Sequence, residues 1–240
     1  MIKLRKSQER GHANHGWLDS YHSFSFANYY DPEHMGYSVL RVINEDVVAP
    51  GQGFGMHPHR DMEIVTYMLK GAVRHEDSMG NGSVIKAGDV QRMTAGTGVR
   101  HSEVNASNSE AVHLLQIWLL PERDNLTPGY EEKHFDAAEK RDRWCLIASH
   151  DGRDGSLTIN QDVELHASIL SDGKTLDYPM QKDRSLYIQV ARGSLRLNDE
   201  LLDAGDAAKI DAQQAVSLYA LEEAEILLFD LPSDLATTTH

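Results

Sequence analysis

An ordered repeat of strand endings and turns constrains this chain more than any other feature. In the first half, Tyr67-Met-Leu-Lys-Gly71 is followed by Ala87-Gly88-Asp89 and then by Ile117-Trp-Leu-Leu-Pro121. In the second half, Ile188-Gln-Val-Ala-Arg-Gly193, Ala204-Gly205-Asp206 and Leu228-Phe-Asp-Leu-Pro232 come in the same order. The intervals differ by a few residues, which surface loops absorb. Three matches in one order point to a duplicated unit. The runs Tyr37–Ile43, Glu63–Leu69, Leu114–Leu119, Ser185–Ala191 and Ile226–Leu231 are short and rich in β-branched and aromatic residues. Glycine-containing turns at residues 51–55, 80–82, 96–98 and 151–155 separate such runs, a pattern of many short strands that suits barrels or sandwiches. The clearest helix candidate is Asp136–Arg143. The expected architecture is all-β: two tandem jelly-roll-like β-barrels with a few short helices. Residues 1–125 form the first barrel, 126–145 a linker with the helix, and 146–240 the second barrel.

Hydrophobic residues make up 40% of the 240, enough for a core in each unit. Acidic residues outnumber basic ones by 37 to 23, for a net charge of −14. Such a surface repels phosphate backbones and anionic lipid, so neither nucleic acid nor a membrane is an expected partner. The one cysteine, Cys145, excludes an intramolecular disulfide and a thiolate metal cluster. It lies in the apolar run Trp144-Cys145-Leu146-Ile147 and reads as an inert packed thiol. The first residues lack the apolar stretch of a signal peptide, and no run of about 18 apolar residues exists. A cytoplasmic protein is expected.

Chemistry concentrates in two short motifs. His57-Pro58-His59 is an H-x-H pair, and on a strand residues i and i+2 share a face. His101-Ser102-Glu103 repeats the device on another segment. Two such pairs on neighbouring strands present His57, His59, His101 and Glu103 to a common interior. Three imidazoles and a carboxylate suit Fe, Ni, Cu, Zn, Mn or Co, and a metal that accepts five or six ligands keeps open positions. Gly51, Gly53 and Gly55 precede the first pair, and Gly96 and Gly98 the second, where a barrel bends. In the second half, the positions matching the first pair fall on Pro179 and Gln181, and Asp211–Ser217 lacks His and Glu. The second barrel is therefore expected to hold no metal.

The segment Gly51-x5-His57-x-His59-x3-Glu63-x7-Gly71 resembles the first cupin motif, and Gly88 to His101 resembles the second. Thr94 stands where cupins usually carry proline, the interval from Gly96 to His101 is longer by two residues, and the run to Gly71 by one. These departures characterise the pirin branch. The segments from His22 to Pro32, His57 to Glu63, His75 to Ser78 and Thr94 to Glu103 all look like pirin, strongly over residues 1–121 and weakly beyond. The resemblance implies a bicupin close to bacterial pirin-like quercetin 2,3-dioxygenases. In many cupins the carboxylate ligand comes from the first motif, here Glu63. In pirins it comes from the second, here Glu103, which leaves Glu63 to accept an imidazole N–H.

The activity implied is 2,3-dioxygenation of a flavonol such as quercetin by O₂ with release of CO. Glu103 would be the general base for the 3-hydroxyl, and iron is among the metals expected. Phe54, Met56, Met68 and Met93 are expected to wall the pocket. Two alternatives stand beside this reading. One is a metal-dependent pirin-type regulatory module with a protein partner and no physiological flavonol. The other is a non-redox cupin such as a sugar isomerase. His12, His15 and His22 read as packed or surface residues, with a place at the pocket mouth as the alternative; His34, His75, His113, His134, His150 and His166 also read as packed or surface residues. The stripe Phe24, Phe26, Tyr29, Tyr30 reads as core.

Overall fold

The structure, a computed structural model, describes residues 1–213 and 215–233; residues 234–240, assigned from sequence to the second barrel, lie outside them. The first half contains strands β1 (Ile2–Arg5), β2 (Gly11–Asn14), β3 (Leu18–His22), β4 (Leu40–Val48), β5 (Gly53–His59), β6 (Glu63–Lys70), β7 (Ala72–Asp77), β8 (Gly82–Lys86), β9 (Asp89–Thr94), β10 (Val99–Asn105), β11 (Val112–Leu119) and β12 (Gly129–His134). After the helix α1 (Ala137–Lys140) come β13 (Cys145–Ser149), β14 (Leu157–Thr158), β15 (Glu164–Leu170), β16 (Thr175–Pro179), β17 (Arg184–Arg192), β18 (Ser194–Leu197), β19 (Glu200–Asp203), β20 (Ala207–Asp211), β21 (Ala215–Ala220) and β22 (Ala224–Pro232).

Each unit is a sandwich of a seven-stranded and a four-stranded sheet, the all-β cupin arrangement. The orders are β12-β9-β6-β11-β4-β3-β2 with β5-β10-β7-β8, and β1-β20-β17-β22-β15-β13-β14 with β16-β21-β18-β19. Among the described residues no ladder joins the two sheets of a unit, so the barrels expected from sequence are open. The strands meet through side chains rather than through a closed ring of hydrogen bonds.

The unit boundary differs from expectation in two places. Residues 129–134, placed in the linker, form β12 and pair with β9. Residues 2–5, placed in the first barrel, pair with β20 of the second unit. β9 and β20 both follow an Ala-Gly-Asp turn. Each would be a bare edge of its large sheet, and a strand from outside the repeat covers each one. The helix is also shorter than Asp136–Arg143. A capping box between Asp136 and Glu139 starts it, and Arg141 is already extended, bridged to Ile169.

Strand parity explains the core. On β6, Val65, Tyr67 and Leu69 point into a cluster shared with Tyr187, Leu227 and Phe229, so the two large sheets pack face to face. Ile64, Thr66 and Met68 point the other way, into the first sandwich. The second sandwich is filled by one continuous aliphatic cluster that includes Ile188, Ala208, Ile210, Ile226 and Leu228. The first is filled by two small clusters, around Met68 and Leu114 and around Ile64 and Met93. Polar side chains occupy the gap between them. In register across the large sheet run Gln91, Thr66, Gln116, Asn44 and His22. The matching row of the second unit is Ala208, Ile188, Leu228, His166 and Leu146. His166 packs there against Trp144 and Tyr178.

Candidate metal centre

His57 and His59 project from β5 and His101 and Glu103 from β10, and the two strands pair antiparallel with His101 opposite His57. Gly53 makes this pairing possible, because a Cβ there would lie 2.2 Å from the Glu103 carbonyl oxygen. A register shift between His101 and Glu103 is built into the ladder. One ring nitrogen from each of His57, His59 and His101 lies within 4.8 Å of the others. His57 Nδ1–H donates to the Gly55 carbonyl at 2.8 Å, which leaves Nε2 as its free nitrogen.

The burial of these groups fits a cation. His101 is 1% exposed, and neither of its ring nitrogens has a hydrogen-bond partner. A buried imidazole with no partner is costly unless something else takes its lone pair. Burial, with His101 and His57 beside it, pushes His59 down to about 4. Burial, with His57 and His75 beside it, pushes His101 down to about 3. Both rings are thus neutral at physiological pH, the form a metal binds. Glu103 is fixed from the polar row: Gln116 Nε2–H donates to it at 2.8 Å and the Thr66 hydroxyl at 3.3 Å.

Glu63, the rival carboxylate, lies on the opposite face of β6 from Thr66. It is fully buried between the units and accepts from the Thr94 hydroxyl at 3.1 Å and from Asn160 N–H at 3.1 Å. Parity counted from His59 fails because the chain turns at residues 60–62, where Asp61 has φ 48. Burial outweighs these hydrogen bonds and raises the Glu63 carboxyl above its ordinary range.

A cavity of about 620 Å³ opens onto His57, His59 and Glu103, with His101 buried behind them. Trp17, Phe26, Phe54 and Trp118 supply its aromatic walls, with Trp118 edge-on to His59 at 5.0 Å between ring centroids. Ser20, Asn44 and Asp46 supply a polar patch. Burial pushes Asp46 up to about 7 despite a hydrogen bond from Ser20, and Glu103 and Glu45 add to the shift. Several expectations about this wall need correction. Phe54 lines the cavity, but Met68 and Met93 are buried in the flanking clusters and Met56 is exposed. His12, His15 and His22 line the cavity together with Phe26 and Tyr29, because β2 and β3 extend the large sheet past the metal-binding face. Only Phe24 of the aromatic stripe is core, and Tyr30 is exposed.

Sequence reasoning also passed over His75. It sits opposite Glu103 on β7, is fully buried, and offers a nitrogen within 4.8 Å of ligand atoms of both His101 and Glu103. Asp77 follows His75 by two positions on β7, which places both on one face. That spacing was the available signal, and it matches the His57/His59 and His101/Glu103 pairs.

The site and the doubled sandwich define a metal cupin, and comparison with known proteins gives its family. Residues 3–119 match the family model described as Pirin, and residues 146–231 match the one described as Quercetinase C-terminal cupin domain. The chain belongs to the pirin family. It is 52% identical to a quercetin 2,3-dioxygenase of Escherichia coli K12, covering 97% of this chain and 99% of the relative. It is 44% identical to a putative quercetin 2,3-dioxygenase of Pasteurella multocida, covering 96% and 100%. Among solved structures, it is similar to a bacterial pirin from Escherichia coli in complex with nickel(II), with 51% identity, TM-score 0.93 and coverage of 97% and 100%.

Proposed function

We propose that this chain is a dioxygenase that opens flavonols such as quercetin, with His57, His59, His101 and Glu103 holding one divalent transition metal. One observation carries the reading: the unpartnered nitrogens of His101 lie beside two further histidines at an aromatic-walled cavity. The quercetin 2,3-dioxygenase relatives and the nickel-bound pirin support it. When bound, the metal would supply Lewis acidity that lowers the pKa of the flavonol 3-hydroxyl. Trp17, Phe26, Phe54 and Trp118 hold a flat polycyclic ring and exclude water. Ser20, Asn44 and Asp46 meet the peripheral phenolic hydroxyls. Gln116 and Thr66 orient the Glu103 carboxylate, which accepts the 3-hydroxyl proton. Both oxygen atoms enter the ring-opened product, and C3 leaves as CO.

The test is metal content and oxygen uptake with quercetin for the wild type, His57→Ala and Glu103→Ala. Both variants should lose metal and turnover together. Full turnover by metal-free protein would overturn the reading. Turnover near zero with Fe, Ni, Cu, Mn and Co, beside metal-dependent capture of one protein partner, would favour a regulatory module instead.

A further inference from the structure

Asp77 is an unusually well-held carboxylate. Its side chain is fully buried, and it accepts from Met79 N–H, Asn81 N–H and Asn81 Nδ2–H at 2.9 to 3.0 Å. It also lies 3.2 Å from His75 Nε2. Three donors already hold Asp77 as a carboxylate that can only accept, so His75 carries its proton on Nε2. That assignment leaves His75 Nδ1 with a free lone pair, and this atom is buried without a partner. On the neighbouring strand, His101 has the complementary need. If one of its nitrogens binds a metal, the other must carry a proton, and neither has an acceptor. The two rings lie 5.4 Å apart between centroids, and Tyr130 stacks on His75 at 4.9 Å.

We propose that Asp77 and His75 form a relay that holds His101 as a metal ligand, with His75 Nδ1 accepting the N–H of His101 that the metal leaves over. This rests on the metal reading above, and it makes His75 a positioning residue rather than a ligand. The relay fixes the His101 tautomer and raises the basicity of the coordinating nitrogen. Outer partners of this kind typically change metal affinity by about 10- to 100-fold. It differs from the usual carboxylate–histidine–metal arrangement by interposing a second imidazole. The carboxylate can then sit on β7 while its effect reaches β10.

The experiment uses Ni(II) and a competing chelator on the full chain, reading stoichiometry and affinity separately. Asparagine places a polar atom where His75 Nδ1 lies, whereas glutamine places one where Nε2 lies. His75→Asn should keep one Ni(II) per chain with affinity within a few-fold of wild type. His75→Gln should keep the stoichiometry but bind about 10- to 100-fold more weakly. Asp77→Asn, which releases the tautomer, should weaken binding in the same direction. Loss of the bound ion in both His75 variants would make His75 a ligand and overturn the relay. Equal affinities for His75→Asn and His75→Gln would overturn it too. Wild type that fails to bind Ni(II) would instead overturn the metal reading itself.

Discussion

Truncating Glu63 separates the two roles that a buried carboxylate in the first cupin motif can play. Its side chain is fully buried, and Glu63 Oε2 accepts from the Thr94 hydroxyl, from Asn160 N–H at 3.1 Å and from Asn160 Nδ2–H at 3.3 Å. Glu63→Ala strands the Asn160 backbone donor and the Thr94 hydroxyl. Asn160 Nδ2–H retains its bond to the Thr94 oxygen at 3.1 Å. Two stranded donors at about 1–3 kcal/mol each give about 2–6 kcal/mol. Burial raises the Glu63 carboxyl, so removing it also relieves a desolvation cost. The lower half of that range, about 2–4 kcal/mol, is therefore expected. For a chain of this size that corresponds to a fall of roughly 5–15 °C in Tm. Urea denaturation of metal-free protein and metal analysis of the same preparation make the assay. The expected variant is destabilised and still holds one metal. A folded Glu63→Ala protein that has lost its metal would refute the face assignment. A change below about 1 kcal/mol would refute the hydrogen-bond argument.

Three further outcomes follow from the same geometry. Asp46 is raised from 3.8 to about 7, so the folded state holds its proton better than the unfolded chain; this stabilisation is complete below about pH 4 and is lost as pH rises through 7. Metal-free Asp46→Asn should therefore gain stability over wild type between pH 5 and 8 in urea titrations, and parallel pH profiles would reject the assignment. Tyr67 donates to Glu225 at 2.6 Å and accepts from Lys140 Nζ at 3.0 Å, joining the two units. Tyr67→Phe should cost about 1–3 kcal/mol by denaturation without changing metal content. Gln116→Leu removes the 2.8 Å hydrogen bond to Glu103 and should weaken metal binding about 10-fold or more in chelator competition; unchanged affinity would dissociate Gln116 from the site.

The candidate ligands were legible because strand parity is a local rule. His57 with His59, and His101 with Glu103, each need only two residues of extended chain to share a face. The duplication was legible because its turns need particular residues: Gly71, Gly193, Gly88 and Gly205 all have positive φ. What escaped the sequence is non-local. Whether Glu63 shares a face with His59 depends on a turn at residues 60–62 that parity counting ignores. His75 acquires meaning only when β7 lies beside β10. The histidines of β2 and β3 reach the cavity because those strands extend a sheet whose other members come from much later in the chain. The exchange of edge strands was equally hidden, since nothing in residues 2–5 or 129–134 names the partner strand.

That exchange has a consequence for how the molecule is made. β1 is synthesised ahead of the whole first unit, yet its partner β20 follows more than 200 residues later. Until then the first unit must assemble with β1 unpaired beside it. The second sheet covers its β20 edge only by reaching back to β1, on the far side of the first unit in sequence. The two halves of this duplicated protein therefore cannot be parted at the boundary of the sequence repeat. A cut there would give each fragment a strand that belongs to the other.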